Sequence, residues 1–173
     1  MRQYGLTLSV LLIVFEFISG CKEDDPVPLQ AEVKAALLAG DVGQSKSWKL
    51  VTFTEKVGTG ADETLTLFGC ASDNIYKFSN NAAQDYEESE GSTKCDPLDA
   101  SVVEKGTWAF TLDGTMLVFV NEVLTSSQTA FPFSSIFPYP GEVIELSDSI
   151  LKIKMTHTFD GTSIVDTFTF NKN

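Results

Sequence analysis

Among its 173 residues the chain has one histidine, two tryptophans and three cysteines, and Arg2 is its sole arginine. Each scarcity removes a class of chemistry. With 12 basic against 24 acidic side chains and a net charge of −12, the surface repels phosphate backbones and anionic lipid, so nucleic acid is not a partner. One histidine and isolated cysteines make a poor zinc site, because zinc takes four ligands, or three and a water. There is no G-x-S-x-G elbow for a nucleophilic serine and no Gly-rich loop to cradle phosphate. Asp73, Asp96 and Asp99 lack EF-hand spacing for calcium. Glycosidase chemistry needs two carboxylates about 5–10 Å apart across a sugar, and the sequence singles out no such pair. Asp85, Glu87, Glu88 and Glu90 lie together, but a solvated strand face accounts for them. No enzyme activity, cofactor or metal is expected. Disorder is excluded too: 43% hydrophobic residues and 13 Phe are enough for a packed core.

What is present begins with a leader. Residues 1–20 run from Met1-Arg2 through an apolar stretch, Leu6 to Ile18, to the small pair Ser19-Gly20, the layout of a secretory signal. The apolar stretch is too short for a membrane span, and Glu16 interrupts it. Ile18-Ser19-Gly20-Cys21 resembles a bacterial lipobox. That resemblance implies cleavage before Cys21 and lipid on its sulfur, so a membrane is the expected partner. Several acyl chains anchor stably, at about 0.8 kcal/mol per buried methylene. Loss of Arg2 and Glu16 with the leader leaves the charge at −12. Residues 21–28, CKEDDPVP, read as a tether, since acids and prolines build no core. Within it, Lys22-Glu23-Asp24-Asp25 resembles the signal that sends Bacteroidota lipoproteins to the cell surface. This implies an outer-membrane lipoprotein displayed outside the cell; a plain solvated linker is the alternative.

The remaining span, 29–173, suits one domain. Cys70 and Cys95 form an even pair in an exported chain, which favours a disulfide. Residues 29–39 read as a short helix, with Leu29, Val33, Leu37 and Leu38 at helical spacing and Gly40 as its stop. From Ser47 onward the apolar period becomes two. Candidate strands are 47–56, 64–69, 74–79, 84–90, 104–112, 115–121, 142–147, 149–159 and 162–171. Asn80-Asn81, Asp113-Gly114, Ser147-Asp148 and Asp160-Gly161 supply turns between them. Short strands joined by turns after one helix indicate an all-β fold, an antiparallel sandwich or barrel. About eight strands can close around their own side chains or around one small ligand.

Several segments carry a family likeness. They are Ser47-Trp48-Lys49-Leu50, the run from Cys70 to Phe78, Thr93-Lys94-Cys95-Asp96, Gly106-Thr107-Trp108, and the run from Ile144 to Leu151. Together they resemble the lipocalin-like domains of Bacteroidota lipoproteins across most of the exported chain. The resemblance implies an antiparallel up-and-down β-barrel of about eight strands. The pattern departs from true lipocalins two residues before Trp48, where Lys46 replaces glycine.

Two features are candidates for function. In strand 149–159, His157 shares a face with Leu151, Ile153, Met155 and Phe159, so the sole histidine points inward. A two-residue loop at Asp160-Gly161 sets Phe159 opposite Thr162, His157 opposite Ile164 and Met155 opposite Asp166. The diagonal neighbours His157 and Asp166 then lie about 7–8 Å apart at Cα, within side-chain reach. The pair serves either as a rim contact for stability or as a polar point in a ligand cavity. The second feature is segment 123–141, with Phe131, Phe133, Phe137 and Tyr139 among prolines. Such a loop suits a lid or contact surface, or folds over a barrel end. The expected function is a lipid-anchored binding module for a small apolar ligand, a glycan fragment or an envelope protein. The alternative is a structural accessory of an outer-membrane complex.

Overall fold

The computed structural model describes residues 28–67, 69–124 and 140–173. Cys21 and residues 1–20, the expected leader, lie outside the described residues, as do Phe131, Phe133, Phe137 and Tyr139. Among the described residues one helix, α1 (Gln30–Ala39), precedes nine strands. These are β1 (Ser45–Val57), β2 (Glu63–Leu65), β3 (Ile75–Ser79), β4 (Asp85–Ser89), β5 (Val102–Phe110), β6 (Met116–Val123), β7 (Gly141–Leu146), β8 (Ile150–Phe159) and β9 (Thr162–Lys172). Every pairing is antiparallel, neighbours follow chain order from β3 to β9, and β1 pairs with both β3 and β9. Eight strands thus close an up-and-down barrel, as expected. Most strand limits fall within two residues of the expected ones. The exception is 64–69, which shortens to β2 and lies along the upper part of β1 only.

The tightest turn shows why the register is fixed. Asp160 and Gly161 both adopt positive φ, 48° and 76°, which a two-residue hairpin loop of matching twist requires. Phe159 therefore pairs with Thr162, His157 with Ile164 and Met155 with Asp166. A slip of one residue would turn the buried Leu151, Ile153, Met155, Phe168 and Phe170 outward.

One end of the barrel is floored by α1. Its packing face is Ala35, Leu38 and Ala39, whereas Leu29 and Val33 of the expected stripe are exposed. Alanines, having almost no side chain, let the helix sit close against the strands. Gly40, at φ 90°, ends the helix, and the strands serve the carbonyls left over there. Trp48 Nε1 donates to Leu38 O at 2.8 Å, Lys46 Nζ to Leu37 O at 2.8 Å, and Asn80 Nδ2 to Gly40 O at 2.7 Å. Lys46, the departure from the lipocalin pattern, thus has a structural task. Trp48, Phe78, Trp108, Leu117, Leu151 and Phe170 pack above this floor.

Candidate functional site

Inward side chains form rows around the barrel, and the rows change character with height. Across β8, β9 and β1 the lower rows are Leu151, Phe170 and Leu50, then Ile153, Phe168 and Phe53. Phe53 and Phe168 stack there at 4.5 Å. The next row holds Met155, Asp166 and Glu55, and the row above it His157, Ile164 and Val57. Phe159 stands at the lip. The opposite wall repeats the change. Phe78, Tyr86, Gly106 and Asn121 form one row across β3 to β6, and Tyr76, Glu88, Glu104 and Val123 the row above. The end away from α1 is therefore lined with acids and amides.

His157 and Asp166 come together as expected from the register, with Nδ1 3.6 Å from Oδ2. Asp166 is only 7% exposed, and among the described residues its Oδ1 has no hydrogen-bond partner. Burial pushes its carboxyl above the usual carboxylate range; His157 opposes this shift and Glu55 reinforces it.

The acidic run on β4 requires a correction. Asp85 is exposed, but Glu88 is fully buried and Glu90 nearly so. Residues alternate across a strand, so Tyr86 and Glu88 turn inward together. Glu88 faces Glu104 across the ladder, and both have no exposed surface. Directly opposed side chains have Cβ atoms about 4.5–5.5 Å apart. Asn74 Nδ2 donates to Glu88 Oε1 at 2.8 Å, while its own Oδ1 has no partner among the described residues. Burial raises the hydroxyls of Tyr76 and Tyr86 well above the usual tyrosine range, and the charge of Glu88 adds to it. Asn121 Oδ1 is likewise buried without a partner. A side chain at Gly106 would collide with the Val120 carbonyl, so the close approach of β5 to β6 there takes only glycine. The sequence signal for Glu104 is the period-two alternation from Trp108 through Gly106, which sets it on the inward face.

Cys70 and Cys95 are joined by a disulfide that ties the loop before β3 to the loop between β4 and β5. Asp73 stiffens the same region: its Oδ2 accepts from Ser92 N, Ser92 Oγ and Thr93 N. The Ser92 hydroxyl is the main reason its carboxyl lies below the usual range. Asp96 Oδ1 accepts from Leu98 N. Among the described residues no three His, Cys, Asp or Glu side chains converge as a metal site. The outer wall carries a groove of about 450 Å³ lined by Lys77, Glu87, Lys105 and Glu122. These four alternate in sign across β3 to β6, the arrangement that stabilises cross-strand pairs. The groove is explained by sheet pairing, and the acidic barrel end is not.

No family model matches the chain, and no curated protein matches it significantly.

Proposed function

We propose that this chain is a lipid-anchored binding module of the bacterial outer membrane, with a lipocalin-like barrel that takes a small ligand at the end opposite α1. The observation that carries the reading is the placement of Glu55, Glu88, Glu104 and Asp166 on inward rows at that end. Carboxyls cost stability when buried, and apolar side chains of similar volume would fill the space better. Retention of acids there fits a task other than packing. Of the small apolar ligand, glycan fragment and envelope protein expected as partners, the acidic lining supports a polar ligand better than a purely apolar one. The packed lower half supports the second reading, an accessory lipoprotein of an outer-membrane complex, because it leaves only one end for a ligand.

Native mass spectrometry of protein taken from its host envelope tests the reading. A small-molecule adduct is expected on the wild type and absent when Glu55 and Asp166 are both replaced by Leu. Protein that carries no adduct in either form supports the accessory reading instead. The same spectra test the anchor: Cys21 should carry lipid, and an unmodified Cys21 removes it. Replacement of the acids in Lys22 to Asp25 by Ala should hide the protein from external protease, and unchanged cleavage argues against surface display.

A further inference from the structure

The helix α1 is apolar on two faces, and the barrel covers one of them. Ala35, Leu38 and Ala39 turn toward the strands and are buried. At 3.6 residues per turn, Leu29, Val33, Ala36 and Leu37 fall on the opposite side. Leu29 is 52% exposed and Val33 40% exposed, with Ala36 and Leu37 half-buried beside them. A cleft of about 510 Å³ runs along this stripe and is also lined by Lys46 and Asp148, which pair at 3.0 Å. A helix that is apolar all round is ordinarily covered all round. Among the described residues nothing closes over Leu29 and Val33. Large apolar side chains meet water at the far end of the barrel too, Phe159 among them. Position in the chain separates the two ends. Residues 21–28 join Leu29 to the expected lipid on Cys21. A chain reaches at most about 3.3–3.6 Å per residue, so the start of the stripe stays within about 30 Å of the bilayer that holds the lipid.

We infer that α1 is a second membrane contact, lying flat on that bilayer with Leu29, Val33, Ala36 and Leu37 against it. This inference rests on the anchor reading above and names the surface that the anchor brings down. A helix of 10 residues is too short to span a membrane and suits the interface plane. The stripe carries no charge. Glu32 and Asp41 stand exposed beside it, and Asp148 is paired with Lys46, so neutral head groups fit this face and anionic ones do not. The tether keeps the face at high local concentration, so a contact too weak to hold free protein is enough. In this posture the mouth of the barrel, opposite α1, points away from the membrane.

The test uses the full-length protein purified from its host envelope and placed in phosphatidylcholine vesicles. Cys70 and Cys95 are bonded to each other and Cys21 is the expected lipid site, so one added cysteine takes a nitroxide label. Val33→Cys reads the helix face and Phe159→Cys the far end. Electron paramagnetic resonance compares relaxation by oxygen, which concentrates in the bilayer, with relaxation by a water-soluble nickel chelate. The oxygen-to-nickel ratio should be several-fold higher at position 33 than at position 159. Addition of Leu29→Glu should bring it down to the value at 159, with an unchanged circular dichroism spectrum. Vesicles that contain phosphatidylglycerol should lower the ratio at position 33 as well. Equal ratios at the two positions, in protein that floats with the vesicles, overturn the docking and leave the anchor in place. Dipolar broadening at position 33 without vesicles assigns the face to a second copy of the chain and overturns it too. Protein that does not float with the vesicles removes the anchor and the docking together.

Discussion

At the helix end, Leu37, Leu38 and Gly40 give their carbonyls to Lys46, Trp48 and Asn80, and the rows above are Trp, Phe and Leu. At the other end the rows carry Glu55, Glu88, Glu104 and Asp166, and oxygens of Asp166, Asn74 and Asn121 meet no donor. One chain, with one strand period throughout, satisfies its polar groups at one end and, among the described residues, leaves oxygens of Asp166, Asn74 and Asn121 without a donor at the other. Stability is concentrated where polar groups are satisfied and rings interlock. The acidic end lowers stability and is held in shape by covalent and backbone ties, the disulfide and the Asp73 contacts among them. A division of this kind is what a stability–activity trade-off produces.

The comparison breaks first at the floor. Trp48→Ala removes a fully buried ring and leaves Leu38 O without its donor. The loss should be about 3–5 kcal/mol in urea titration, enough to unfold most of the protein. A loss of less than about 1 kcal/mol would mean that α1 is not the floor. Conversion of Cys70 and Cys95 to Ser opens a loop of sequence separation 25. By chain entropy this costs about 3–4 kcal/mol. Hydrogen exchange should quicken near residues 69–75 and 90–101 and leave β8 and β9 protected until global unfolding.

Alkaline titration sharpens the contrast further. Tyr76 and Tyr86 have hydroxyls raised well above the usual 10.0, chiefly by burial. The folded chain therefore keeps protons that the unfolded chain loses near pH 10, and stability falls as pH rises beyond that point. Tyrosinate absorbance of these two rings should appear only with unfolding. Early absorbance, with circular dichroism still native, would mean that the upper rows are wet. The smallest effect belongs to the β5–β6 turn at the floor end. Thr111 Oγ1 and Thr115 N and Oγ1 donate to Asp113, whose carboxyl is held down at about 2, first by the Thr111 hydroxyl. Its contribution is complete above the ordinary aspartate value of 3.8 and is lost as pH falls toward 2. Asp113→Ala should flatten the acid limb of the stability curve by slightly lowering stability at neutral pH, with no difference from the wild type once pH falls to about 2.

Much of this fold was legible because strands announce themselves by period two and turns by Asp-Gly and Asn. The His157–Asp166 approach followed from the Asp160-Gly161 turn alone, since a two-residue loop fixes every pair below it. The helix was legible in extent but not in its packing face, because the burial of Ala35 and Ala39 comes from close approach rather than from hydrophobicity. The Glu88–Glu104 pair was missed for a different reason. A carboxyl on an inward position contradicts the rule that charges face water, and such contradictions are where sequence logic gives way at functional sites.

The central claim is that the acids of the open end are kept at a cost to the fold. The direct measurement is the melting temperature of Asp166→Asn as a function of pH. The folded carboxyl is raised above the ordinary 3.8, so the wild type gives up stability as pH rises through that window and remains penalised above it. The account predicts that Asn removes this slope and melts higher at neutral pH, by about 2–4 °C for each 1 kcal/mol relieved. A variant that melts lower than the wild type at neutral pH, with the slope intact, would contradict it, and Asp166 would then belong to the fold rather than to a ligand.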